Sequence, residues 1–173
     1  MRLKKTVVLR IPVANDSGAQ AGVVDCLKNP ATFAEWFWAG VAAGAQGIEY
    51  MTQSQGQDAP LFDVQDAIQT EAHVVGARLK NLLPVILSGI RRPISVAGLS
   101  SVRAASFSAG KVSYVIAVNE ASTPGQARLL IDLRESISPA VLWEGRNETI
   151  SSGALTDRFT GFGVHIYKLS LKR

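Results

Sequence analysis

The sequence predicts an α+β chain in two parts, a β-α-β-α segment over residues 1–92 and an antiparallel β-sandwich over residues 93–173. Three observations carry this. "NPATFAEWFWAGVAAGAQG" has helical periodicity and passes at once into the strand-like run "IEYMTQ". A second helical stripe closes just before "GIRRPISVAGLS". Beyond Pro93 the pattern changes to short alternating runs separated by Gly, Pro, Asn and Ser, the signature of an all-β domain.

The first strand falls in "KTVVLRI", whose β-branched residues suit a buried strand, and "PVANDSGAQAG" after it reads as a turn-forming loop. Asn29 caps the next element and Pro30 takes its first helical position, where a missing N–H does no harm. Phe33, Trp36, Phe37, Gly40, Val41 and Gly44 form one stripe, and Trp38, Ala39, Ala42 and Ala43 make the other faces small or apolar too. Such a helix asks for cover on more than one side. Gly44 and Gly47 end it, and "IEYMTQ" follows as the second strand.

After the polar loop "SQGQDAP", a longer helix is expected from about Phe62 to Leu83, capped by Asp63, with Val64, Ile68, Ala72, Val75, Leu79 and Leu82 inward. Pro84 is expected to stop it, and His73 sits beside the stripe as a boundary side chain. Strand, helix, strand, helix implies parallel strands joined by right-handed crossovers. Two parallel strands alone leave outer backbone groups unpaired, so further neighbours are expected.

The second part begins with a hairpin in "VRAASFSAGKVSYVIAVNEAS", with "SAG" as the turn and "SYVIAVN" alternating as a strand with one buried face. "ARLLIDL", "AVLWEG", "ETIS" and "GVHIYKLSL" continue the series with turn signals between them.

Composition excludes several classes of function. Eighteen Lys and Arg stand against 14 Asp and Glu, but they are scattered, so the +4 balance concerns solubility rather than a nucleic-acid footprint. Arg10 interrupts the N-terminal apolar run too early for a signal peptide, and no stretch is long enough to span a membrane. The reading is of a soluble protein with cytoplasmic placement favoured. A single cysteine, Cys26, and two distant histidines, His73 and His165, offer no metal-ligand spacing. Phosphate-loop and nucleophile-elbow patterns are absent. Neither a metal nor another cofactor is expected.

"FAEWFWAGVAAGAQGIEYMTQ", the closing "LKNLLPVILSG", "VSYVIAVNEAS" and the final "LTDRFTGFGVHIYKL" together resemble the C-terminal end of (β/α)8-barrel glycoside hydrolases, from about Thr6 onward. In that family the last barrel units lead into a C-terminal β-sandwich. Thr160-Gly161 stand where relatives often have a proline before the aromatic. The resemblance implies that "TVVLRI" and "IEYMT" are similar to the seventh and eighth barrel strands, so the first part is a partial barrel. It also implies a bacterial source, a role in polysaccharide breakdown, and a pair of carboxyl groups about 5–5.5 Å apart for retention or about 6.5–9.5 Å for inversion. One of that pair belongs to the fourth barrel strand, which has no counterpart here.

Two acids of this chain sit where chemistry is conceivable. Asp16 follows the first strand, although "NDSG" is turn chemistry. Glu49 lies inside the second, where a buried carboxylate needs a partner or a lumen to face. Tyr50, Gln53 and Trp143 are the candidate substrate contacts; Gln55 and Gln57 could also hydrogen-bond sugar hydroxyls. Three readings follow. The chain is the C-terminal portion of a glycoside-hydrolase-like protein, inactive alone; or a stand-alone module whose sandwich binds carbohydrate or mediates assembly; or a small enzyme using Glu49 and Asp16. The first expects self-association or a missing N-terminal barrel portion as partner. The second expects exposed aromatics, with Trp143, Tyr114 and Tyr167 as candidates.

Overall fold

The computed structural model describes residues 8–14, 29–53, 66–133 and 136–170. The chain divides into two compact units, Met1–Lys80 and Asn81–Arg173.

In the first unit β1 (Val8–Ala14) and β2 (Gly47–Gln53) pair in parallel, in register from Val8 opposite Gly47 to Ala14 opposite Gln53. Between them runs α1 (Pro30–Ala43), so the expected β-α-β order is present. Asn29 Oδ1 accepts from the Ala31 N–H at 2.9 Å, and Gly44 closes the helix in the left-handed region at φ 97°, where a side chain would be strained. Phe33, Phe37 and Val41 are buried, and so are Trp38 and Ala42 on another side of the same helix. The expectation of cover on more than one side is met. β1 runs further than its sequence suggested, since Pro12, Val13 and Ala14 extend the strand rather than opening a loop. Pro12 stands opposite Met51 in the β1–β2 register.

The helix α2 (Asp66–Ser88) differs from its expected course. Ile68, Val75 and Leu82 are buried, as the stripe requires, but Pro84 lies inside the helix instead of ending it. Proline removes one backbone donor and leaves the following turns able to bond. Ser88 Oγ donates to the Pro84 carbonyl and Gly89 N–H to that of Val85, so the final turn is satisfied locally. Phe62, Asp63 and Val64 lie outside the described residues.

The second unit holds β3 (Ile90–Gly98), β4 (Val102–Ala109), β5 (Val112–Asn119), β6 (Gly125–Leu130), β7 (Ala140–Val141), β8 (Arg146–Asn147), β9 (Ile150–Ser151), β10 (Ala154–Phe159) and β11 (Val164–Ser170). They form one nine-stranded sheet in the order β8-β7-β11-β5-β4-β3-β6-β10-β9, every pair antiparallel.

The sheet curls on itself at β3. Residues Ile90 to Ile94 pair with β4, and Ser95 to Gly98 pair with β6, so one strand serves two layers. Pro93 sits beside this change of partner, at a place the sequence had suggested as a boundary. The two layers close on a core of Val102, Val115, Ala127, Leu129, Val141, Ile150, Leu155, Phe159, Tyr167 and Leu169. β6 and β10 show clean alternation, with Ala127 and Leu129, then Leu155, Asp157 and Phe159, turned inward. This is the expected antiparallel sandwich, with the hairpin turn at Gly110-Lys111 rather than at "SAG". Gly110 adopts φ 61°, which the first position of a tight hairpin needs.

β5 departs from the one-faced alternation expected of it. Ser113 to Asn119 are all buried, so this central strand is covered on both sides. Asn119 at its end is the reason two loops hold their shape. Its Nδ2 donates to the carbonyls of Thr123 at 2.9 Å and Thr160 at 2.8 Å, while its Oδ1 accepts from Ser101 Oγ at 2.6 Å.

Candidate functional site

Alternation decides what sits between the layers. In β10 the inward positions are Leu155, Asp157 and Phe159, so a carboxylate occupies a place otherwise given to a hydrophobe. In β11, on the facing layer, His165, Tyr167 and Leu169 point inward. An acid at an inward position must be met by donors, because an unpartnered buried charge is costly.

The donors are present. Asp157, 7% exposed, accepts from Arg146 twice, Nη1 to Oδ1 at 3.1 Å and Nη2 to Oδ2 at 2.8 Å. Tyr167 Oη donates to Oδ2 at 2.8 Å, and the Arg158 N–H donates to Oδ1 at 2.7 Å. His165 Nδ1 lies 2.8 Å from Oδ2 and 2.6 Å from Arg146 Nη2. That nitrogen either donates to Asp157 or accepts from Arg146, since a guanidinium only donates. The imidazole lies against Phe159, ring centroids 4.4 Å apart.

Electrostatics follow from this geometry. Burial alone pushes the Asp157 carboxyl up, but hydrogen bonds from His165, Arg146, Tyr167 and the Arg158 N–H outweigh it and hold the group well below the usual carboxylate range. Arg146 is raised above its ordinary value, chiefly by the Asp157 hydrogen bond and further by Glu144. Tyr167 is pushed up by burial and by the charge of Asp157. Charged Asp157 and Arg146 beside neutral Tyr167 form a locked arrangement.

Arg146 extends the network to the surface. Its Nε donates to Glu144 Oε2 at 2.7 Å and its Nη1 to Glu148 Oε1. Between β7 and β8 the chain turns through Leu142, Trp143, Glu144 and Gly145. Trp143 takes φ 66°, a left-handed conformation uncommon for a large side chain, and is 44% exposed. The Leu142 N–H donates to the Ile166 carbonyl at 2.8 Å, tying the turn to β11.

The residues expected from the sequence are distributed as follows. Glu49 is exposed and stands opposite Arg10 in the β1–β2 register, so the argument that it is a buried strand carboxylate does not hold. Tyr50 and Gln53 lie on β2 opposite Ile11 and Ala14, and their side chains are outside the described residues. Asp16, Cys26, Gln55 and Gln57 are also outside the described residues. Of the three aromatics expected on a sandwich face, Tyr114 and Tyr167 are buried and only Trp143 is exposed. Tyr167 is spent on Asp157 and cannot stack on a ligand.

His73 is exposed. No group of three or more His, Cys, Asp or Glu among the described residues could hold a metal ion. No helix among them is long and apolar enough to cross a membrane. The Asp157 cluster was missed at the level of sequence. Its signal was present in "LTDRFTGFGVHIY", where Asp157 shares its strand parity with Leu155 and Phe159.

No protein-family profile matches the sequence, and no curated protein matches it. Solved structures do match. An α-amylase from Geobacillus thermoleovorans, complexed with acarbose, is 18% identical with a TM-score of 0.64, covering 84% of this chain and 34% of its own. An Anoxybacillus α-amylase is 17% identical with a TM-score of 0.56, at 83% and 33% coverage. The Gamma-CGTase of an alkalophilic Bacillus clarkii is 12% identical with a TM-score of 0.60, at 95% and 26% coverage. This chain spans about a third or less of the length of these structures. It has the fold of the C-terminal part of a (β/α)8-barrel glycoside hydrolase, the last barrel strands followed by the β-sandwich domain.

Proposed function

We propose that this chain is the C-terminal portion of a glycoside hydrolase acting on α-linked glucose polymers, and that it is catalytically incomplete without the rest of a barrel. The observation that carries the reading is the pair of coverages. At least 83% of this chain fits solved α-amylases while about a third of each of them is matched. Carbohydrate is the ligand class because structures of like fold include complexes with acarbose, maltose and maltotriose. The parallel pair β1–β2 supports it too, since two such strands need neighbours on both sides. The domain division at about residue 92 follows from the same reading, as does a partner in the form of an N-terminal barrel portion or a second copy.

Hydrolysis needs two carboxyl groups across one glycosidic bond. Glu49 is exposed on β2. The test is reducing-end release from maltoheptaose by the purified chain and by Glu49→Gln. The reading expects no turnover by either protein. Turnover that Glu49→Gln abolishes, with the fold intact, establishes a small independent enzyme and removes the proposal.

A second reading, a non-catalytic carbohydrate-binding module, is favoured by one observation, the exposure of Trp143.

A further inference from the structure

We propose that the cleft where the two layers part beside β3 is a binding site for a small, free monocarboxylic acid with an apolar body, its carboxylate held by Arg92. The inference neither rests on the glycoside-hydrolase reading nor bears on it.

β3 is an interior strand of the sheet order, where cover on both sides is the rule, yet Ile90, Arg91, Arg92 and Pro93 are all exposed. The register explains this. Ile90 to Ile94 have β4 as their one strand partner among the described residues, and β6 ends at Leu130, opposite Ser95. Past that point the chain leaves β3, and the Ile131 N–H donates to the Gly153 carbonyl at 2.8 Å instead. A cleft of about 320 Å³ opens between the first half of β3 and Ile131, Asp132 and Leu133, with its lining wholly in the second unit. Packed interiors hold few voids larger than a water molecule, and this volume falls at the lower end of small-molecule sites.

Most of the lining is apolar. Ile94, Val115, Ile131, Leu133 and Leu169 belong to the sandwich core or pack against it, and all of them face the cleft. Ile90 and Leu130 line it as well and are 64% and 45% exposed. Covering such surface with the apolar body of a ligand is favourable.

The polar lining selects the head group. Ser108 and Ser113 are cross-strand partners whose hydroxyls bond to each other, and Ser106 Oγ reaches the Arg92 carbonyl at 3.5 Å. Those hydroxyls have their partners within the protein. The Arg92 guanidinium and the Asp132 carboxylate have none among the described residues, and both line the cleft. Arg92 shares its face of β3 with Ile94, so its charge stands beside the apolar walls. A guanidinium presents parallel N–H donors that match a carboxylate in bidentate geometry. Asp132 disfavours a second negative charge, which restricts the ligand to one carboxylate. A cleft of this volume takes a small molecule, whereas a stable protein interface buries on the order of 1,200 Å² or more.

The test is a titration of the full 173-residue chain, methyl-labelled at Ile and Leu, with sodium octanoate and in parallel with octanol and octylammonium, each below the concentration at which it aggregates. The methyl resonances of Ile90, Ile94, Leu133 and Leu169 should move together and saturate with octanoate. Affinity for octanoate should exceed that for the other two on the order of tenfold, as a charge-assisted hydrogen bond provides. Arg92→Gln should lose this preference while its remaining spectrum stays native-like. Should that variant not fold, the head-group comparison on the unsubstituted chain decides alone. Equal binding of all three compounds, or a preference for octanoate that survives in folded Arg92→Gln, overturns carboxylate recognition by Arg92. Absence of movement with octanoate overturns the site. Cleft resonances that shift on dilution without any ligand assign the cleft to contact between copies and overturn it as well.

Discussion

Arg146 on β8 and Asp157 on β10 grip each other through two hydrogen bonds of 3.1 and 2.8 Å across the interior of the sandwich. The two strands lie near opposite ends of the sheet order, so this pair adds a side-chain link to the backbone bridge between Ile137 and Ile150 that joins the same ends. His165 and Tyr167 reach the same carboxylate from β11. Removing Asp157 therefore leaves Tyr167 with a buried hydroxyl that has lost its acceptor and Arg146 with only its part-exposed partners Glu144 and Glu148. Asp157→Ala should cost about 3 kcal/mol, at the lower end for breaking a buried ion pair because Arg146 is partly exposed. That corresponds to a Tm lower by about 6–12 °C in thermal unfolding, for a chain of this size. A loss of 2 °C or less contradicts the layer-joining role.

The hydroxyl of Tyr167 can be separated from its ring. Tyr167→Phe keeps the buried ring volume and deletes the 2.8 Å donor to Asp157. A cost of about 1–2 kcal/mol is expected in denaturant unfolding, with an unchanged m-value.

The same cluster sets the pH limits of stability. Asp157 is held low in the folded state, so the unfolded chain binds its proton more readily. Its contribution is complete above the unfolded value of about 3.9 and is lost as pH falls below it. Tyr167 is raised, so its contribution is complete below the unfolded value of about 10 and declines as pH rises past it. Unfolding free energy measured from pH 2 to 11 should fall at both ends. Asp157→Asn should flatten the acid limb, and Tyr167→Phe the alkaline one.

Loop closure near Asn119 gives a separate test. Asn119 donates to Thr123 and Thr160, and Gly161 passes so close to the first of these loops that an added Cβ would lie 2.2 Å from the Ser122 carbonyl oxygen. Asn119→Ala should cost about 2–3 kcal/mol through lost hydrogen bonds and stranded carbonyls. Gly161→Ala should cost roughly 1–3 kcal/mol by forcing backbone apart. Chemical denaturation of both variants checks this; a neutral Gly161→Ala contradicts the close approach.

The sequence resolved those elements whose signals are local. Asn29, Pro30 and Gly44 mark α1 by capping chemistry alone, and the inward stripe of α2 is carried by Ile68, Val75 and Leu82. Features set by partners elsewhere in the chain were harder to read. Pro84 looked like a stop, yet the last turn of α2 supplies its own bonds through Ser88 and Gly89. The change of pattern at Pro93 was legible, but not that β3 changes layers beside it. Glu49 looked buried because its strand is apolar, whereas its own position is exposed.

The site was partly legible as well. Trp143 was named from the sequence, and it is exposed. Tyr114 and Tyr167 could not be told apart from it by residue type; strand position buries both. Asp157 drew no notice because its partners Arg146, His165 and Tyr167 come from two other strands, and a strand read by itself does not reveal which donors face it.

The central claim is that β1 and β2 are part of a larger parallel sheet and need neighbours outside this pair. Val8 is 50% exposed, and among the described residues each of the two strands has only the other as a partner. Sedimentation velocity of the purified chain over a wide concentration range tests this most directly. Association should grow with concentration and be suppressed when a barrel portion is supplied. A single monomeric species at every concentration, with its native fold intact, contradicts it.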